Sequence, residues 1–316
     1  MDALDAEELF PTHGPLDEDH QIGRTPTIVA LTERLRERGD ALLLEDRRVG
    51  KTSVVRASLT RVRLQLGGLT GEVDLTAANV ADGPSFARAL MKALHDADGT
   101  LSRSLRARAA VTEHRGRLRR LRDGVERFPT ALGIEDIEPV VELLRLADLD
   151  APTLDTVLSR LASAGRRRPV VIFVDEVQEL RRWPDALAVQ KSLARFMRMD
   201  GRRTAIVAAG SDRTATEAIF AEGSPLHWNF DAFPLPAIDA VDWHEGLAER
   251  FAAAGLAIES ARIRQILAAS NGHPLRTMTV AKEALREARA ANETAISWGA
   301  VDSAAGRARA HPSWRR

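Results

Sequence analysis

The sequence predicts an α/β core built on a parallel sheet, followed by an all-helical C-terminal region. Three observations predict it. Short apolar runs of strand type alternate with helical patterns between Ala41 and Ala208. Two of those runs stop abruptly at groups of polar residues rather than fading into a turn. From Trp243 onward the chain is rich in Ala, Arg and Glu at helical spacing, broken at Asn271-Gly272-His273-Pro274. No internal repeat is visible.

The 316 residues suffice for one large domain with a smaller appendage, or for two ordinary domains. A hydrophobic share of 44% and a charged share of 28% are globular values and argue against general disorder. The net charge is zero, which excludes a globally basic nucleic-acid coat while leaving local patches open. With no cysteine, disulfides, cysteine nucleophiles and thiolate zinc sites are all excluded. Only four of the 45 basic residues are lysines (Lys51, Lys92, Lys191 and Lys282), so each lysine invites a reason. The first 23 residues lack Lys and Arg, unlike a secretory signal, and the apolar run Val170–Val174 falls far short of the roughly 20 residues that span a bilayer. A cytoplasmic protein without a membrane partner is the expectation.

Taken in order, residues 1–19 carry seven acids and two prolines and read as a flexible acidic arm. Thr27–Arg38 is helical, with Ile28, Leu31 and Leu35 on one face and Gly39 as its stop. Ala41–Leu44 suits a buried strand. Lys51–Leu66 is a helix with Val55, Leu59, Val62 and Leu66 turned inward, ended by Gly67-Gly68. Glu72–Leu75 is a second strand and Pro84–Asp96 another helix. The stretch from about 99 to 150 reads as a helical insertion crowded with arginine. Thr153–Ala164 is a helix, Val170–Val174 a strand, Asp185–Met199 a helix, Thr204–Ala208 a strand and Asp231–Leu235 a last short strand.

The strand Ala41–Leu44 runs into Glu45-Asp46-Arg47-Arg48-Val49-Gly50-Lys51-Thr52-Ser53. A strand, a tight loop and a helix opening on Gly-Lys-Thr present unpaired N–H groups and the positive end of a helix dipole, which favours a polyphosphate. Lys51 would reach the β and γ oxygens and Thr52 would offer its hydroxyl to Mg²⁺. In the full pattern G-x-x-x-x-G-K-[ST] the first glycine falls at Glu45. Glycine there permits a positive φ and close approach to phosphate. With glutamate, either the loop is distorted or the carboxylate turns away from the ligand.

Val170-Val171-Ile172-Phe173-Val174 ends in Asp175-Glu176. At the carboxyl end of a parallel strand, a ligand-binding crevice is expected. There Asp175 would hold Mg²⁺ through a water, and Glu176 would polarise the water that attacks the γ-phosphate. Thr204–Ala208 leads to Gly210-Ser211, where Ser211 is either a γ-phosphate sensor or a helix N-cap.

His20-Gln21-Ile22-Gly23-Arg24, Arg47–Ser53, Asp175-Glu176-Val177-Gln178-Glu179-Leu180, Gly210-Ser211 and Gly272-His273-Pro274 follow one another in the order found in archaeal-type STAND and AAA+ ATPases, which the chain resembles over roughly residues 20–290. The resemblance implies a P-loop NTPase core with an extra strand between the two motif strands, and a C-terminal α-helical lid. It implies a core over 20–236, a lid over 237–316, and ATP or ADP with Mg²⁺ as ligands. Ile22, Gly23 and Arg24 would border the adenine, while Arg48, Val49, Gly50, Lys51, Thr52 and Ser53 would cradle the phosphates. Pro274, in the lid motif, would close over the nucleotide. Arg276 is either a sensor contact from the lid or a surface arginine. Asn229 stands where the family often carries an arginine, so slow hydrolysis is expected, or hydrolysis that depends on another chain's arginine. The implied activity is that of an ATP-dependent switch that self-associates. The alternatives are a DNA-associated ATPase of the transposition-helper or origin-recognition kind, and a module that binds nucleotide without hydrolysing it.

Between Leu101 and Arg127, nine arginines (Arg103, Arg106, Arg108, Arg115, Arg117, Arg119, Arg120, Arg122 and Arg127) face three acids. Three readings stand: phosphates of a nucleic acid, a contact with a protein or with the acidic arm, and a solvated helical face. No aromatics interleave with these arginines, which gives base stacking little support.

Overall fold

The computed structural model describes residues 5–97, 153–166, 168–199, 204–310 and 314, so the arginine-rich stretch from Arg103 to Arg127 lies outside the described residues. In chain order the helices are α1 (Ala6–Leu9), α2 (Thr25–Arg36), α3 (Lys51–Leu66), α4 (Gly83–Ala97), α5 (Leu154–Gly165), α6 (Ala186–Met197), α7 (Arg213–Phe220), α8 (Ala240–Ala253), α9 (Ser260–Ser270), α10 (Pro274–Ala290) and α11 (Trp298–Ala310). The strands are β1 (Ala41–Leu44), β2 (Leu69–Asp74), β3 (Val170–Asp175), β4 (Thr204–Gly210) and β5 (Asp231–Ala232). The chain divides into two compact units. One comprises Met1–Leu31, Glu45–Ser58 and Pro234–Arg316; the other comprises Thr32–Leu44 and Leu59–Phe233. This division differs from a core over 20–236 and a lid over 237–316, because the phosphate-loop segment groups with the helical C-terminal part.

The second unit holds the sheet. Its five strands run parallel in the order β2-β3-β4-β1-β5, so β4 is the strand between β1 and β3 that the resemblance implies. Successive side chains of a strand point to opposite faces. Val170, Ile172 and Val174 of β3, with Ile206 and Ala208 of β4, join the cluster formed with Leu90, Leu94, Leu158, Leu161, Leu193 and Phe196 of α4, α5 and α6. The alternate residues Val171, Phe173 and Val207 turn the other way and are fully buried as well. A sheet covered on both faces explains why these strands read as unbroken apolar runs. Leu44 pairs with Gly210 and Val174 with Ala208, so β1, β4 and β3 all end at one edge of the sheet.

The first unit is helical. Trp243, Leu247 and Phe251 of α8, Ile263 and Ile266 of α9, Val280, Ala284 and Leu285 of α10, and Val301 and Ala304 of α11 form its core. The N-terminal arm belongs to that core, which corrects the expectation of a flexible segment for its described residues. Leu9 and Phe10 are buried, and the Phe10 ring lies 4.8 Å from that of Phe251. Arg250 donates to the carbonyls of Leu9 (2.6 Å) and His20 (2.8 Å). Lys282, buried in α10, donates to the Glu7 carboxylate at 2.7 Å and to the Thr12 hydroxyl. The acids made the arm read as solvated, yet two apolar side chains and one carboxylate anchor it.

Candidate functional site

The loop between β1 and α3 is built around its own lysine. Lys51 is buried, and its ammonium donates to the carbonyl oxygens of Glu45 (2.6 Å) and Asp46 (2.7 Å). The left-handed residues of the loop are Arg48 (φ 64°) and Gly50 (φ 98°); Glu45 is not among them. The positive φ expected at the first motif position therefore lies three residues later, at Arg48. Glutamate is tolerated at 45 because that position contributes a carbonyl to Lys51 rather than a left-handed turn. Arg48 carries the backbone cost instead, of order 1 kcal/mol or more for a non-glycine residue.

Arg24 braces this loop from behind. It is buried and donates to the Pro236 carbonyl at 2.5 Å and to the Val49 carbonyl at 2.9 Å. Burial pushes its guanidinium below the ordinary value, and the Glu45 carboxylate opposes that shift. Ile22 packs against Gly246 of α8, and Gly23 lies against Ile238 and Asp242, so this stretch lines the start of the helical unit. The Ser53 hydroxyl accepts the Leu16 N–H at 3.0 Å, and its carbonyl accepts from Gln21 Nε2 at 3.1 Å. Thr52, half-buried, follows Lys51 in the first turn of α3. The lid motif reaches the same loop: His273, immediately before Pro274 at the start of α10, approaches the Arg47 carbonyl through Nε2 at 3.3 Å. Burial holds the His273 imidazole below its usual range; the Arg47 carbonyl opposes this and the Arg276 charge adds to it. Arg276 itself stacks over the Trp314 ring at 5.3 Å and donates to its carbonyl at 3.1 Å.

In the sheet unit, Asp175 ends β3, buried, and its Oδ1 accepts the Glu176 N–H at 2.9 Å. Glu176 then turns into left-handed backbone (φ 53°, ψ 44°), which starts the 3-10 turn Val177–Arg182. Its Oε2 accepts from the Ser211 hydroxyl at 2.6 Å and from Gln178 Nε2. The structure thus brings Ser211 and Glu176 together. It also removes the N-cap reading of Ser211, because Asp212 caps α7 by accepting the Ala215 N–H at 2.9 Å. Gln178 is buried, and its Oε1 accepts from the buried Thr216 hydroxyl at 3.3 Å. Thr216 in turn presses on Gly210, where an added Cβ would collide with its Oγ1. The sequence marks Gln178 only as a member of the Asp175–Leu180 motif, with no role of its own, and Thr216 is not distinguishable there from a polar surface residue. Asn229 is wired inward: it donates to the carbonyls of Pro225 and His227, each at 3.0 Å, and accepts from Arg198 Nε at 3.2 Å.

Asp175, buried at the end of β3, offers hard oxygens of the kind that hold Mg²⁺ together with phosphate oxygens and waters rather than in an all-protein cage. Among the described residues there is no group of three or more His, Cys, Asp or Glu side chains placed to hold a metal ion. No helix among the described residues is long and apolar enough to cross a membrane.

The parallel order β2-β3-β4-β1-β5, a lysine-bearing loop after β1 and paired acids ending β3 define the P-loop NTPase fold of AAA+ type. Solved structures carry the same fold at low identity. A Walker-type ATPase of Pyrococcus abyssi matches with a TM-score of 0.64 at 18% identity, covering 94% of this chain and 75% of that one. The ORC2 protein of Aeropyrum pernix, solved with ADPNP and ADP, matches with a TM-score of 0.61 at 15% identity over 96% of this chain and 71% of that one. The ORC1 protein of the same organism, solved with DNA, matches with a TM-score of 0.54 at 16% identity over 96% and 69%. No family model matches the chain. No curated protein matches it in sequence.

Proposed function

We propose that this protein binds ATP with Mg²⁺ and hydrolyses it slowly, acting as a nucleotide-dependent switch of the AAA+ type. The observation that carries this is the buried Lys51, held by the loop carbonyls of Glu45 and Asp46 at the start of a helix that follows the fourth strand of a 2-3-4-1-5 parallel sheet. Lys51 exchanges those carbonyls for β and γ oxygens, and N–H groups of the loop and of the first turn of α3 share the phosphate charge. Thr52 and Asp175 would hold Mg²⁺, whose charge would offset that of the phosphates. Glu176 accepts hydrogen bonds through Oε2 and acts as the base that orients the attacking water. Ile22, Gly23 and Arg24 border the base, Ser211 responds to the γ-phosphate through its bond to Glu176, and Pro274 fixes the lid end of α10. The STAND-like character, self-association and a cytoplasmic setting belong to the same proposal.

A second reading, nucleotide binding without turnover, is favoured by two features. Glu45 adds a negative charge to the loop, and Asn229 stands in place of an arginine. One pair of measurements decides. Lys51→Ala should weaken ATP binding more than about tenfold, because a charge-assisted contact contributes roughly 1.5–3 kcal/mol. Glu176→Gln should lower single-turnover hydrolysis by about a hundredfold or more, as expected for loss of a general base, leaving a residual rate while ATP still binds. Unchanged affinity in the first variant would reduce Gly50-Lys51-Thr52 to an ordinary helix start. Equal hydrolysis by wild type and Glu176→Gln would leave the binding module as the answer.

A further inference from the structure

We propose that Gln178 is a positioning residue for this hydrolysis. It fixes the Glu176 carboxylate so that one oxygen is anchored in the protein and the other is presented to water. The proposal rests on Glu176 being the base in the function proposed above.

Both hydrogen bonds to the Glu176 side chain converge on Oε2, from Ser211 Oγ at 2.6 Å and from Gln178 Nε2. Among the described residues, Oε1 has no hydrogen-bond partner, and Glu176 is only half-buried. A carboxylate held at one oxygen by two neutral donors loses rotational freedom. The remaining oxygen can accept a proton along a fixed direction. Fixed geometry at a base matters because small displacements of a reacting group are costly.

Gln178 is itself locked. Its Oε1 accepts from Thr216, which is fully buried, and its Nε2 donates to Glu176, so the amide has one satisfactory orientation. The flipped amide would set its oxygen against a carboxylate and its N–H groups against a hydroxyl that then has no acceptor. Thr216 is seated against Gly210, with no room for a side chain between them. A closed circuit results: Gly210 at the end of β4, Thr216 on α7, Gln178 in the 3-10 turn, Glu176 after β3, and Ser211 beside Gly210. The left-handed backbone of Glu176 fits this assignment, because an unfavourable conformation persists only where its surroundings over-determine it, and such residues cluster at functional sites.

The test uses the full chain and compares wild type with Gln178→Leu, Thr216→Val, Glu176→Gln and the double variant Gln178→Leu/Glu176→Gln. Steady-state hydrolysis, ATP affinity by calorimetry and thermal melting are recorded for each. Gln178→Leu should lower kcat about tenfold with KM and ATP affinity within about twofold of wild type, as expected when an orienting bond to a charged group is lost. Thr216→Val should lower kcat less, about threefold, with the same split. In the Glu176→Gln background, Gln178→Leu should cause no further loss, since coupled residues are not additive. A wild-type kcat for Gln178→Leu overturns the proposal, and so does a fall in affinity parallel to the fall in rate, or a full loss persisting without Glu176. Should Gln178→Leu fail to fold, Thr216→Val decides: a wild-type rate overturns the proposal. If wild type hydrolyses no faster than Glu176→Gln, Glu176 is not the base, and both proposals fall together. That outcome is distinct from a fast wild type that is indifferent to Gln178.

Discussion

The Glu45 charge acts on the buried Arg24, and that interaction gives an acidic residue a place in a loop proposed to bind anions. Arg24 is buried with its guanidinium on the carbonyls of Val49 and Pro236, and the Glu45 charge favours its protonated form. A buried guanidinium without any counter-charge would be costly. Glu45 therefore serves the fold, while its charge repels phosphate. Because Glu45 does not hold left-handed backbone, glycine and glutamine should act alike there. Two unit charges about 4 Å apart at an effective dielectric near 20 interact by about 4 kcal/mol before Mg²⁺ and water screen them. Glu45→Gln is expected to tighten ATP binding by about tenfold in calorimetric titration and to melt slightly lower. Binding no tighter than wild type would show that the carboxylate stands away from the phosphates.

Among the elements, α1 and α10 depend on each other through Glu7 and Lys282. Partial burial raises the Glu7 carboxyl, but bonds from Lys282, Thr12 and His13 outweigh that and bring it from 4.5 to about 2. A carboxyl held lower in the folded state stabilises it above the unfolded value near 4.5, and that contribution is lost as pH falls toward 2. Glu7→Gln should lower the unfolding free energy at pH 7, read from urea titration, by about 1 kcal/mol once solvent screening of a partly exposed group is allowed for. The gap between variant and wild type should close as pH falls from 5 to 2; a constant gap would assign the loss to packing. This contact also marks where reading the sequence stopped. Ala41–Leu44 and Lys51–Leu66 match their elements residue for residue, because an unbroken apolar run and a helical stripe bounded by glycines are local signals. The acids after β3 and the lysine of the loop were legible for the same reason, each following directly from its strand. The arm's anchorage was not, since Glu7 and Lys282 lie 275 residues apart and either alone resembles a solvated charge. The motif displays Gln178, but its link to Glu176 was not legible as a role, because the second partner, Thr216, lies 38 residues further on.

At the scale of the whole molecule, charge is balanced overall but unevenly distributed, with the nine arginines of Arg103–Arg127 set against an acidic N-terminus. If these arginines meet the phosphates of duplex DNA, each contact releases counterions, and log affinity should fall with log salt at a slope of about −0.9 per phosphate. Replacing Arg117, Arg119, Arg120 and Arg122 with glutamine should flatten that slope, as followed by fluorescence anisotropy. No binding at low salt in the presence of ATP would assign the cluster to a protein contact or to solvent. The division of the chain carries a further consequence, for its birth on the ribosome. One unit is assembled from three stretches, Met1–Leu31, Glu45–Ser58 and Pro234–Arg316. Contacts such as Leu9 with Arg250 and Arg24 with Pro236 join positions more than 200 residues apart. At about 5–20 residues per second, the early stretches wait many seconds for their partners, with Leu9 and Phe10 uncovered throughout. The arm and the segment after β1 are thus made well before the partners they settle on, and a nascent chain cut short before Pro236 emerges is expected to lack the carbonyl that holds Arg24 beside the phosphate loop.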